Sequence, residues 1–200
     1  MGIELAKRIA IEDLKGVDLP SILEKAGAIE LPGKGVLIQF LGSRRVVLIP
    51  EWEVLREDGE VEGERASVLI LHYLKRASGA PLSGKEVDFR SLPGGISYIG
   101  PFTARCIKRL IRKFGNEIAL LRKAALALGA EIIEGYGDLA FRIWALPRVP
   151  VKLVFWKGDE EFEPTANIIF DSSITEYLST EDVVVLSELI VEELGKAVGK

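Results

Sequence analysis

The stretch from Ala145 to Leu178, ALPRVPVKLVFWKGDEEFEPTANIIFDSSITEYL, limits the possible folds more than any other part of the chain. Arg148 and Val149, flanked by Pro147 and Pro150, read as a turn between an alternating run, Leu139 to Ala145, and a second run, Val151 to Trp156. A third apolar run, Ile168 to Phe170, follows the polar loop Lys157 to Thr165. So short a loop permits only an antiparallel return, because parallel strands need a crossover of about a dozen residues or more. The three runs therefore predict a meander.

Register then decides which acids can meet. If residues near 147 and 150 face each other, counting outward puts Asp138 opposite Asp159, with Glu160 and Glu161 beside them. Magnesium and calcium need several oxygens converging within about 2.0 to 2.6 Å, so Asp138, Asp159, Glu160 and Glu161 are candidate metal ligands. The plainer reading is a solvated turn whose charge Lys157 partly offsets. The same counting sends Asp171 to the other end of the sheet, near Lys152 and the Arg148 turn, where it can cap a helix, pair with Arg148 or contact a ligand.

A second set of strand signals lies upstream. Ile29–Leu31, Val36–Leu41, Arg45–Ile49 and Trp52–Leu55 are separated by Gly, Pro and Ser residues and predict another meander. Helical periodicity covers Leu5–Leu14, Ser21–Ala26, Arg65–Arg76, Phe102–Phe114, Glu117–Leu128 and about Glu181–Ala197, the last introduced by the capping residues Ser179 and Thr180. A helix ending in Gly27-Ala28 and one ending in Gly129-Ala130 each lead into strands, with Gly35 and Gly137 at matching places, so one reading is a duplicated helix-plus-meander unit. The expected fold is α+β, two antiparallel β-meanders packed with five or six helices in a single domain spanning residues 1–200.

Gly79 to Gly100 reads as an irregular loop with one short strand around Val87–Phe89, and loops of that length often carry function. Within it, Gly94 and Gly95 offer backbone N–H groups to an anion or a flat cofactor, and Tyr98 offers a ring to stack on. Gly94, Gly95, Tyr98, Arg148 and Asp171 are the candidate ligand-binding residues, although a tight turn ahead of a helix at Pro101 also accounts for the two glycines.

With 200 residues, 48% of them hydrophobic, the chain can bury one good core. Its one cysteine, Cys106, rules out an intramolecular disulfide, a four-cysteine zinc site and an iron–sulfur cluster held by this chain alone, and it fits a reducing, cytoplasmic setting. No uninterrupted apolar stretch suggests a membrane span. Cys106 and His72 would have to meet to form a thiolate–imidazole pair, and the single histidine cannot build a multi-histidine zinc site. A net charge of −4 disfavours a general nucleic-acid binder; the basic run Arg105, Lys108, Arg109, Arg112 and Lys113 reads as the wet side of a helix. The apolar content allows a homodimer without requiring one.

The runs YLKRASGAPLSGKEVDFRSLPGGISYIGPF, LPRVPVKLVFWKGDEEFEP and IIFDSSITEYLSTED resemble a prokaryotic family known only as domain of unknown function 3786, from about Leu69 to the C-terminus. That resemblance implies anaerobic bacterial or archaeal hosts and, because some members carry a cysteine-rich iron–sulfur domain, corrinoid or one-carbon metabolism. It supplies no catalytic residues and no cofactor. The expected function is a non-catalytic domain binding a small ligand, a cofactor or a protein partner; the rival is a hydrolase with a carboxylate-held metal.

Overall fold

The computed structural model describes residues 2–199. The chain opens with α1 (Ile3–Leu14) and α2 (Leu19–Ala26), then runs through β1 (Ile29–Leu31), β2 (Gly35–Phe40), β3 (Ser43–Leu48) and β4 (Val54–Arg56) into α3 (Glu64–Arg76). After the short β5 (Glu86–Asp88) come α4 (Gly95–Phe102), a π-helical turn (Thr103–Ile107), α5 (Lys108–Phe114) and α6 (Ile118–Ala127). The second meander is β6 (Glu131–Ile133), β7 (Leu139–Leu146), β8 (Val149–Trp156) and β9 (Thr165–Asp171), and α7 (Thr180–Lys196) ends the described chain. One sheet has the order β1-β2-β3-β4; the other is β5-β9-β8-β7-β6, the second meander with β5 added beyond β9. Both are antiparallel, as the short connections require.

The same order, helix, four-strand meander, helix, thus occurs twice, and like elements meet. α3 packs on α7 and β2 touches β7. The contacts at the ends are reciprocal. Gly27, ending α2, lies against Pro147 and Arg148 in the β7–β8 turn; Gly42, in the β2–β3 turn, lies so close to Leu128 after α6 that any Cβ would overlap the Leu128 carbonyl. Leu41 and Gly42 both have positive φ, the geometry of a two-residue hairpin matched to strand twist. Leucine is a costly residue there, and it is held by its own burial and by a bond from its N–H to the Ala145 carbonyl (3.1 Å). Tyr73 of α3 ties the halves at the other end: its buried hydroxyl donates to Ala26 O (2.6 Å) and accepts the Arg148 N–H (3.1 Å).

Alternation explains the core. Phe141, Ile143, Val151, Leu153, Phe155, Ile168 and Phe170 point to one side of the second sheet, Val36, Ile38, Phe40, Val47 and Val54 to one side of the first, and all join one buried cluster with α3 and α7.

Three sequence expectations are corrected here. The β7–β8 turn is Pro147-Arg148, not Arg148-Val149; Val149 and Pro150 already belong to β8. Pro150 is tolerated there because the β9 ladder starts only at Val151, so its missing N–H removes no bond on that side. A bulge between Trp144 and Leu146 then sets the register, with Leu139 opposite Phe155, which leaves Asp138 beside Trp156 and Lys157 rather than opposite Asp159. Finally, the helix expected from Phe102 begins at Gly95 and carries Pro101 in its interior. Proline cannot donate to the carbonyl four residues back, and the irregularity is taken up by the π turn immediately after it. Counting α4, the π turn and α5 as one rod gives six helices among the described residues.

Candidate functional site

Helices cover only the inner face of the five-stranded sheet. Alternation along β6, β7, β8, β9 and β5 sends Glu131, Arg142, Lys152, Ile169 and Asp88 to the outer face as direct cross-strand neighbours, with Trp144, Pro150, Asp171 and Glu86 in the next row. An open groove of about 610 Å³ lies over these rows, floored by Ile133, Ile169 and Pro150 and walled by Leu82 and Tyr136.

Two like charges, Arg142 and Lys152, stand directly opposite each other on adjacent strands, which by itself is unfavourable. Each is compensated twice. Arg142 pairs with Glu131 and lies 5.9 Å from the Trp144 ring centroid; Lys152 pairs with Glu86 and has its ammonium 4.0 Å from the Tyr136 ring centroid. The Lys152 side chain is only 14% exposed. Burial pushes its pKa down, but the hydrogen bonds to Glu86 and Tyr136 and the Glu86 charge outweigh that and raise it, so Lys152 is a fixed cation rather than a nucleophile. The carboxylates of Glu86 and Glu131 are about half exposed and form the outer rim.

Of the five candidate ligand residues, only Asp171 lines this groove. Partial burial pushes its carboxyl up, but hydrogen bonds from Ser173 and Ser83 prevail and hold it at about 2. It caps the 3-10 turn Ser172–Glu176 through the Ser173 N–H and pins the preceding loop through the N–H groups of Ser83 (2.9 Å) and Gly84 (2.8 Å). Arg148 contacts the α2 end instead, donating to the Glu24 carbonyl (3.4 Å). Gly94 has φ 73° at the N-cap of α4, and Gly95 backs onto the Phe89 carbonyl so closely that no side chain fits. Tyr98 projects from α4, partly exposed.

The acids at the other end of the sheet serve local structure. Asp159 accepts the N–H groups of Glu161 and Phe162, both at 2.8 Å, and these bonds hold its carboxyl below the ordinary range. Asp138 accepts the Lys157 N–H (2.9 Å), while Glu160 and Glu161 are exposed. Among the described residues, no three His, Cys, Asp or Glu side chains converge in a metal-holding arrangement.

His72 and Cys106 each have another partner. His72 Nδ1 lies 2.7 Å from Asp182, which also closes the capping box of α7 with Ser179. The Cys106 thiol points at the Val184 carbonyl, and burial first, the Glu188 carboxylate second, push its pKa up to about 12, the opposite of an activated thiol. In the basic helix, Arg105 and Arg109 pair with Glu188 and Glu192 of α7, and Arg65 of α3 joins both acids.

Residues 18–193 match the model of a family described as Domain of unknown function (DUF3786). The chain belongs to that family. Neither a curated protein nor a solved structure matches it. The matched span of this DUF3786 chain contains both meanders and every residue of the groove. No described helix is long and apolar enough to cross a membrane. Tyr136, Arg142, Lys152, Glu86 and Glu131 were missed by sequence reasoning. Their signal was present in the charged positions that interrupt the apolar alternation of β7 and β8, but joining them required the cross-strand register.

Proposed function

We propose that this DUF3786 domain is a binding module that holds a small polar ligand on the open face of its five-stranded sheet. The observation that carries the reading is the groove itself: two opposed cations fixed against aromatic rings, over an aliphatic floor, with exposed carboxylates at the rim. Glu86 and Glu131 are about half exposed and can turn to water, so a ligand carboxylate or phosphate can take their place beside Lys152 or Arg142, while a ligand ammonium finds those same carboxylates beside it. A single domain, a cytoplasmic location and a place in anaerobic corrinoid or one-carbon metabolism belong to the same proposal and rest on composition and resemblance. The rival hydrolase, built on Asp138, Asp159, Glu160 and Glu161, has no geometric feature in its favour.

Native mass spectrometry of protein purified anaerobically from its own host tests the reading. Added mass that is retained by the parent and lost from Lys152→Met supports it. Added mass retained equally by both proteins, or none in the parent, overturns it.

A further inference from the structure

β9 is longer than the strand that covers its edge. β5 pairs only with residues 169–171 and ends at Asp88, where the chain leaves the sheet in the 3-10 turn Phe89–Ser91. The stretch Thr165–Ile168 has β8 on one side and no strand on the other. The direction of its backbone groups follows from one bond. The Ser172 N–H donates to Lys85 O (2.8 Å) across the β5 side, and in an antiparallel strand alternate residues turn both N–H and C=O the same way. Even-numbered residues of β9 therefore face β5, so the N–H and C=O of Ala166, a residue only 9% exposed, face the side on which no strand pairs with it.

That edge opens into a second groove of about 420 Å³, apart from the first. Ile99, Phe102 and Ile107 form its apolar wall, Trp156 and Asn167 flank it, and Arg90 stands at the end where β5 stops. Thr103 and Ile107, both on the groove, are the two ends of the π turn. Such turns recur at functional sites because the wider coil displaces side chains that a regular helix would stack.

We propose that this groove receives an extended segment of a partner protein, added as a strand antiparallel to β9 and in line with β5. Ala166 supplies the paired backbone bonds that strand addition uses, and the pleat dictates the side chains. The guest residue opposite Ala166 points, like Ala166, toward the inner face and so meets Ile99, Phe102 and Ile107, which suits an aliphatic side chain. Its neighbours point outward, toward Asn167 and Trp156. Arg90 is exposed, and an acidic neighbour complements it; the groove's own carboxylate, Asp88, is already bound by the Ser91 N–H (3.1 Å) and hydroxyl (2.9 Å). The partner motif is an extended aliphatic residue beside an acidic one.

A blocked heptapeptide of alternating valine and glutamate, titrated into the full chain and followed by backbone NMR and amide exchange, is the test. Shifts confined to residues 165–168, 88–90 and 99–107, with new protection of the Ala166 N–H, are expected. Arg90→Glu, a change on an exposed side chain, weakens the peptide about tenfold and makes the valine–lysine analogue the better ligand. An Ala166 N–H already as protected in the free protein as the β8–β9 ladder overturns the proposal. So does absence of binding at millimolar peptide, binding mapped elsewhere, or a peptide affinity that Arg90→Glu leaves unchanged. Loss of Lys152 leaves this binding intact, so failure here is separate from failure of the sheet-face groove.

Discussion

The two meanders share an inner face and differ on the outer one. In the first sheet, Ile29, Leu37, Val46 and Leu55 are successive cross-strand partners, an unbroken aliphatic row on the outer face that an isolated bridge extends to Val61. The corresponding outer face of the second sheet carries Glu131, Arg142, Lys152 and Ile169. Inside, the contrast reverses. The second sheet's inner face is apolar throughout, whereas the first buries a charge, Arg45, whose guanidinium pairs with Glu62, bonds Ser43 (2.6 Å) and lies 5.5 Å from the Phe40 ring centroid. The inner apolar alternation is enough for the repeated architecture, so the outer faces and the buried ion pair are where the halves specialise.

The comparison can be broken most severely at Arg45. Both side chains of its pair are only 10% exposed, and removing one partner of a buried pair typically costs about 3–5 kcal/mol because the other charge is stranded. Urea denaturation of Arg45→Met should show a loss of about 3 kcal/mol, and the double variant Arg45→Met, Glu62→Leu should recover much of it. Lys152→Met removes a side chain almost as covered, 14% exposed, but strands only Glu86, which is 47% exposed and open to water, so it should cost about 1 kcal/mol or less. Equal losses at the two positions would refute the assignment of inner and outer charge.

The next largest effect separates crowding from backbone strain. Gly42→Ala forces a Cβ into the Leu128 carbonyl and is expected to cost about 2–4 kcal/mol, whereas Gly59→Ala, also at positive φ but with open space around it, should cost about 1 kcal/mol. A similar loss at both glycines would mean that the β2–β3 turn does not bear on the second half.

A smaller effect tests the end of the second sheet. The Asp171 carboxyl sits at about 2 in the fold, below its ordinary 3.8, so its contribution is present above roughly pH 4 and fades as pH falls toward 2. Asp171→Asn should be less stable than the parent at neutral pH, and the difference should shrink over that window. A difference independent of pH would show that shape rather than charge holds the Ser83–Gly84 loop.

How far the sequence reveals this molecule follows from the range of each interaction. The strands around Ile29, Gly35, Leu139 and Val151 and the helix cap at Ser179 are local patterns, legible to within a few residues; the reciprocal bond from Asp182 that makes the cap a capping box is added by the structure. Pro101 reads as a boundary, but burial of Phe102 against the Phe89 ring and of Cys106 against α7 carries the helix through it. The groove was hidden by a smaller slip. A hairpin turn placed one residue late, without its bulge, shifts the register by three and sets Asp138 opposite Asp159, which hides the pairing of Arg142 with Lys152. Asp171 was legible as a cap because its partner Ser173 is two residues away; the Ser83 and Gly84 bonds, from a distant loop, were not.

The smallest expected effect decides whether the aliphatic row of the first sheet is merely tolerated. Ile29 is 62% exposed at the edge of that row, so Ile29→Lys removes little buried area and should change stability by no more than about 0.5 kcal/mol. A contiguous apolar strip in water nevertheless promotes contact between copies, and a lysine on an edge strand opposes it through charge and desolvation. Sedimentation over a range of concentrations is the direct measurement. If the parent self-associates and Ile29→Lys does not, the first meander uses its outer face for contact between copies while the second uses its outer face for a ligand. If both remain monomeric at every concentration, the row is exposed surface that the fold carries without using, and the division between the halves rests on the second sheet alone.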